Sequence, residues 1–205
     1  MRVAAGTAEA PRLTPRVRQI VSTALALLEE HGTEGLTMRR LADQLGIRAP
    51  SLYKHLASKT ELETAVIAIG FEDLAAALEQ AAGSSGQRDG PGQRLTALGT
   101  AYREFALGRP HLYRLMTERP LARELLPAGL EERAAAPLVT AVGGDPDVAR
   151  AAWAFAHGMI MLELNERFPP GADLDAAWRA GMEGFGGLGS RSPRTGYGGP
   201  MEPGE

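Results

Sequence analysis

Between Thr37 and Lys59 the chain reads TMRRLADQLGIRAPSLYKHLASK, and this stretch holds the side chains best suited to bind something. Arg39, Arg48, Lys54 and Lys59 are cations, Thr37, Ser51, Tyr53 and His55 offer hydrogen bonds, and Pro50 offers a small apolar surface. Ammonium and guanidinium groups neutralise phosphates, and a guanidinium can also pair in bidentate fashion with guanine O6 and N7. Nucleic-acid binding is the chemistry this set suits. Little else in the chain competes with it. His31, His55, His111 and His157 are scattered, with no His-x-x-x-His or Glu-x-x-His spacing to suggest a metal site. The lack of cysteine excludes disulfide frameworks, Cys-based zinc sites and thiol catalysis. No glycine-rich phosphate loop follows a strand. The expectation is a protein with no catalytic residues, no metal and no cofactor.

The elements that must position these residues are helices. Val17, Ile20, Val21, Ala24, Leu25 and Leu28 recur at spacings of three and four, which places them on one helical face running from Thr14 to His31. Gly32 then supplies a left-handed stop. Thr37 is placed to cap a helix over Met38–Leu45, ended by Gly46, and a third short helix follows over Pro50–Leu56. A helix, a glycine turn and a second short helix make a helix-turn-helix, whose second helix enters the DNA major groove. In this reading Leu41, Ala42, Leu45, Ile47 and Leu52 form its small core. A longer helix begins at Ser58 or Lys59 and runs to about Ala82, where GSSGQRDGPG makes a loop.

Further helical patterns cover Gln93–Leu107, His111–Thr117, Leu121–Leu126 and Leu130–Val142, interrupted by Pro110, Pro120, Pro127 and Pro137. Asp145-Pro146-Asp147 opens a long helix to Phe168, and Asp173 opens a last one to about Phe185. The fold class is therefore all-α: a helix-turn-helix domain over residues 14–60 and a helical domain over residues 61–185. Residues 186–205 are rich in glycine and proline, which predicts a disordered tail. Charge divides the same way. The net charge is −3, yet the first sixty residues hold nine basic and five acidic side chains, so a basic head sits on an acidic body. No stretch approaches the ~20 apolar residues of a membrane span, and the first fourteen residues hold no signal-peptide run. A cytoplasmic protein without a membrane partner is expected.

The residues Gly32–Leu62, with GLTMRRLA, LGI, SLYKHL and then SK, resemble the tetracycline-repressor-type (TetR) family of bacterial transcriptional regulators. That resemblance implies that Thr37, Tyr53, His55 and Lys59 hold the DNA backbone, with Met38 contributing through its main chain. It also implies that Arg39, Arg48, Pro50, Ser51 and Lys54 face base edges or nearby phosphates. Leu56 departs from the aromatic residue common in the family, which alters core packing and leaves the binding mode intact. Trp153, His157 and Gly158 match a Trp-x-x-x-His-Gly signature of one TetR subgroup.

A lone helix-turn-helix reads few base pairs, so a homodimer on a palindromic operator is expected. The resemblance implies an interface built from the last two helices, to which Ala152, Phe155, Met159, Leu174, Trp178 and Met182 are assigned, although by periodicity alone the same stripe would serve as an intramolecular core. It also implies an effector pocket. Tyr102, Phe105, Tyr113, Met116, Trp153, His157 and Met161 form an aromatic and methionine set suited to a largely apolar small molecule, although the same residues would serve equally as plain core. The expected function is a repressor that binds double-stranded operator DNA and is released by a small-molecule effector. The alternatives are a non-specific nucleoid-type DNA binder, or a helical ligand-binding protein or enzyme without DNA-binding function.

Overall fold

A computed structural model describes residues 14–86 and 89–188, and all regular structure among them is helical. Nine α-helices follow in order: α1 Pro15–Gly35, α2 Met38–Gln44, α3 Ala49–Leu52, α4 Lys59–Ser84, α5 Pro91–Gly108, α6 Pro110–Thr117, α7 Leu130–Ala141, α8 Pro146–Leu164 and α9 Leu174–Gly186. Their starts are set by local capping. Thr14, Thr37, Ser58, Asp145 and Asp173 each accept a first-turn backbone N–H on the side chain, which satisfies donors that the helix itself cannot.

Several ends differ from the sequence expectation. Gly32 breaks α1 as expected, with φ 69°, but the helix resumes for one short turn to Gly35. The expected third helix over Pro50–Leu56 is shorter in the structure: α3 ends at Leu52 and passes into a turn at Tyr53. The expected helix over Leu121–Leu126 reduces to a single 3₁₀ turn, Arg123–Leu125, because Pro120 and Pro127 bar helical backbone on both sides. α8 stops at Leu164 instead of Phe168. There Arg167 N–H donates to Leu162 O and Glu166 N–H to Glu163 O, with Glu166 left-handed at φ 52°. This is a Schellman end built without glycine. At the other extreme α9 takes in Gly186, the first residue of the expected tail. Residues 189–205 of that tail lie outside the described residues, as do Arg2 and Arg12 of the basic head and Gln87 and Arg88 of the inter-helix loop.

One hydrophobic core runs through the head and body, from Val17, Ile20 and Leu28 of α1 through Leu62 and Val66 of α4 to Ile160 and Met182. α1, α2 and α3 pack together at one end, while α4, α7, α8 and α9 gather at the other around α5. α6 lies between them, packed on both α1 and α4. A Cβ at Gly70 of α4 would stand 2.5 Å from Met116 Sδ and 3.3 Å from the Leu112 methyls of α6, so any larger residue would make the Met116 side chain move aside.

Candidate nucleic-acid interface and the body behind it

The helix-turn-helix is held by backbone geometry that the sequence dictates locally. Ile47 N–H donates to Ala42 O at 3.0 Å and Gly46 N–H to Asp43 O at 3.1 Å, with Gly46 at φ 65°. This pair of bonds ends α2 and turns the chain towards α3, and it needs a residue that accepts a positive φ. Leu41, Leu52 and Leu56 are buried beneath. Leu56 takes the core position expected of it, at 3% exposure.

With those apolar residues turned inward, the polar set faces out. Thr37, Arg39, Arg48, Pro50, Tyr53, Lys54, His55 and Lys59 are exposed, and Ser51 is half-buried. Tyr53 is half exposed, so it is not a core aromatic. The Thr37 hydroxyl accepts from Arg40 N–H at 3.2 Å, which gives it a capping duty besides any other. Arg39, Arg48 and Lys54 make no ion pair among the described residues. Lys59 stands in the first turn of α4, behind Ser58, whose hydroxyl accepts from Glu61 N–H. Its Nζ lies 3.5 Å from Glu63 Oε1. The arrangement presents unpaired cations and hydroxyls at the two ends of one short helix and on the helix starts flanking it, a layout that phosphate and base-edge contacts could use.

In the body the structure gathers four of the seven aromatic and methionine residues into one relay. Trp153 Nε1–H donates to the Tyr102 hydroxyl at 3.1 Å, the Tyr102 and Tyr113 hydroxyls are 2.9 Å apart, and Tyr113 Oη lies 2.7 Å from His157 Nδ1. Helices α5, α6 and α8 are thereby tied together. Burial raises the hydroxyl pKa of both tyrosines and lowers that of the His157 imidazole, the Glu118 carboxylate pulling the other way on the latter. Met116 is buried on the α4 side, beside Gly70, while Phe105 and Met161 are half-buried against the core. Two surface clefts lie elsewhere. One, of about 400 Å³, is floored by Leu98, Pro137 and Ala141 and rimmed by Arg94 and the Glu79–Arg133 ion pair. The other, of about 550 Å³, lies between α5 and α9, beside Arg103, Leu107, Arg179 and Met182. None of the seven residues lines either one.

The residues assigned to the dimer interface divide between the inside and the outside of the chain. Ala152, Met159, Trp178 and Met182 are packed inside the chain's own core. Phe155 is half-buried, edge-on to Trp178 and tilted against Phe185, and Leu174 is half-buried too. The reason is polar as much as apolar. Trp178 Nε1–H donates to Glu163 Oε1 at 2.5 Å, while Arg103 donates to Glu163 Oε2 and to Asp175 and stands 5.8 Å over the Trp178 ring. Glu163 is a nearly buried carboxylate, 7% exposed, with both oxygens occupied. Trp178 is thus committed within the chain. What α8 turns outward includes Ala151, Trp153, Ala154 and Leu162, together with the half-buried Gly158, at which an added Cβ would meet nothing within 4 Å. Ala177, Ala180 and Gly184 do the same on α9.

Sequence reasoning missed the ion pairs that join head to body. Arg109, just before α6, bridges Glu29 of α1 and Asp73 of α4. Arg119, just beyond α6, reaches Glu63 of α4 and lies 3.9 Å from Glu34 of α1. No periodicity could reveal these, because the partners are separated by 36 to 85 positions in the chain. No group of three or more metal-ligating side chains occurs among the described residues, and no helix among them is long and apolar enough to cross a membrane.

Comparison with known proteins agrees with this geometry. Residues 20–66 match the bacterial regulatory proteins of the tetR family, and residues 95–185 match the tetracyclin repressor-like C-terminal domain. The uncharacterized HTH-type transcriptional regulator Rv0681 of Mycobacterium tuberculosis is 33% identical over 154 residues, spanning 71% of this chain and 69% of that one. A protein of unknown function from Rhodococcus sp. RHA1 superposes with a TM-score of 0.65 at 27% identity, covering 88% of this chain and 98% of that one. BioQ, solved with its double-stranded DNA operator, shares the fold with a TM-score of 0.60 at 21% identity, covering 83% of this chain and 98% of its own. From its helix-turn-helix to its last helix, the chain belongs to the tetR family of bacterial regulatory proteins.

Proposed function

We propose that this regulator acts as a homodimeric repressor that binds a palindromic operator and lets go when a small effector binds the body. The observation that carries the reading is the exposed set on α2 and at the two ends of α3, with Arg39, Arg48 and Lys54 free of ion pairs among the described residues and Tyr53 and His55 beside Lys54. Unpaired cations at both ends of a short helix whose Leu52 is buried against Leu41 and Leu56 suit entry into a major groove. Arg39 and Arg48, with Ser51 and Pro50, are the base-edge candidates. Thr37, Tyr53, Lys54, His55 and Lys59 hold phosphates. BioQ, which shares the fold, has been solved with its double-stranded DNA operator, which supports operator binding as the reading for this chain.

The homodimer forms through the outward stripe of α8 and α9, where Ala151, Ala154, Gly158, Ala180 and Gly184 allow close helix approach and Leu162 adds apolar area. Two such heads, spaced by about one helical turn of DNA, read a symmetric site. The effector is a small, largely apolar molecule sensed by the Tyr102–Tyr113–His157–Trp153 relay, whose hydrogen bonds a ligand with its own polar group would exchange. α6 carries Tyr113 and packs on α1, so a change at the relay has a direct mechanical path to the head.

Selection of bound duplexes from a random DNA pool, followed by a screen for compounds that release the winner, tests the whole reading. A two-fold symmetric motif and at least one releasing compound are expected. Binding with no sequence preference would favour a nucleoid-type protein, and no binding at low salt would overturn the reading.

A further inference from the structure

We infer that Arg119, a body residue outside the helix-turn-helix, is a positioning residue for the DNA contact made by Lys59, and that it acts through Glu63. The inference rests on the phosphate role given to Lys59 above. Glu63 Oε1 is shared: Arg119 Nη1 lies 3.2 Å from it and Lys59 Nζ 3.5 Å from the same atom. Glu63 is 15% exposed, whereas both cations are 43% exposed. One carboxylate charge therefore serves two cations, one from the body and one from the head.

The competition has a sign. While Arg119 neutralises Glu63, the Lys59 ammonium is only loosely held, at the long end of an ion-pair distance, and can turn to a phosphate. Remove Arg119 and Glu63 has Lys59 as its remaining ion-pair partner. The lysine is then held back, and the uncompensated carboxylate also repels the approaching phosphate. Arg119 directly follows Glu118, the C-cap of α6, and Arg114 of the same helix pairs with Glu118. The position of α6 thus sets whether Arg119 is in reach of Glu63. The head's phosphate grip is in this way adjustable from the body by one guanidinium.

The test measures binding of the full-length protein to a random-sequence DNA duplex across a salt series, because a phosphate contact acts on all sequences alike. Arg119→Ala is expected to weaken binding roughly 5–10-fold and to reduce the slope of log K against log salt by about one. Arg119→Lys should retain most of the slope. The pair Arg119→Ala with Glu63→Gln should restore both affinity and slope, and Glu63→Gln alone should bind at least as tightly as the parent. In a Lys59→Ala background, Arg119→Ala should change the slope no further. Loss of affinity at unchanged slope, failure of Glu63→Gln to rescue, or an undiminished Arg119→Ala effect without Lys59 would each overturn the inference. Should Arg119→Ala not fold, the Glu63→Gln result in the intact chain decides it, weaker binding counting against. If Lys59→Ala by itself leaves the slope unchanged, the phosphate role of Lys59 fails instead, which separates the two claims.

Discussion

Tyr113 Oη and His157 Nδ1 lie 2.7 Å apart, so the protonation of the His157 ring sets the direction of the hydrogen bonds in the body's relay. With the imidazole neutral and its proton on Nε2, Nδ1 accepts. Tyr113 then donates to His157, Tyr102 donates to Tyr113, and Trp153 Nε1–H donates to Tyr102. Each hydroxyl gives one bond and takes one. A protonated ring must donate from Nδ1, which turns Tyr113 towards Tyr102 and leaves the Tyr102 proton opposed by the Trp153 N–H.

This relay makes stability depend on pH. Burial holds the folded His157 below its usual value of about 6.5, with the Glu118 carboxylate opposing. Above about pH 6.5 the ring is neutral in both folded and unfolded chains, and its contribution is complete. As the pH falls from there towards the lowered folded value, the unfolded chain takes up a proton that the folded chain refuses. Stability then drops by at most about 1.4 kcal/mol per pH unit. In thermal melts the advantage of the parent over His157→Gln should shrink on going from about pH 7.5 to about 5.5. An advantage that stays constant would show that the ring does not titrate against the relay.

Arg39→Ala should relax the preference at a single base position and cost about 1–3 kcal/mol on the selected operator. The guanidinium is exposed on the second residue of α2 and has no ion-pair partner among the described residues. Competition binding with single-base operator variants measures this. Equal weakening on every duplex would make Arg39 a phosphate contact.

Ala154→Arg should yield a folded monomer with poor operator binding, seen by light scattering alongside an unchanged helical spectrum. Ala154 is exposed on α8 and flanked at helical spacing by Ala151 and Gly158, so an arginine there meets no core but bars a second copy. Trp178→Arg should behave differently. It strips Glu163 of one hydrogen-bond donor and forces a charge into the core, costing about 3–5 kcal/mol of stability. A dimeric Ala154→Arg protein would place the interface elsewhere.

Glu166→Gly should raise the melting temperature, by about 0.5–1 kcal/mol in stability. The residue holds a left-handed φ of 52° at the end of α8, where a Cβ costs about 1–2 kcal/mol and glycine gives back part of that as chain entropy. A lower melting temperature would mean that the Glu166 side chain contributes more than its backbone strain removes.

Much of the molecule was decided within a few residues of each position. Thr14, Thr37, Ser58, Asp145 and Asp173 cap the helices they precede, and Gly32 and Gly46 turn the chain where α1 breaks and α2 ends. Caps, turns and a three-to-four spacing of apolar residues act between near neighbours, so the sequence by itself determined the helical fold class and the helix-turn-helix with its outward cations. What only the tertiary structure decided is which face of α8 and α9 is the inside. Alanine, glycine and methionine occur on several faces of both helices, so their spacing favours no single one. The choice fell to Glu163, which draws in Trp178 and Arg103, and to the fit of Phe155 against Trp178 and Phe185. The aromatic relay and the shared Glu63 carboxylate arose the same way. Their partners come from different helices, and hydrogen bonds and ion pairs of a few ångströms exist only once packing has brought those helices together.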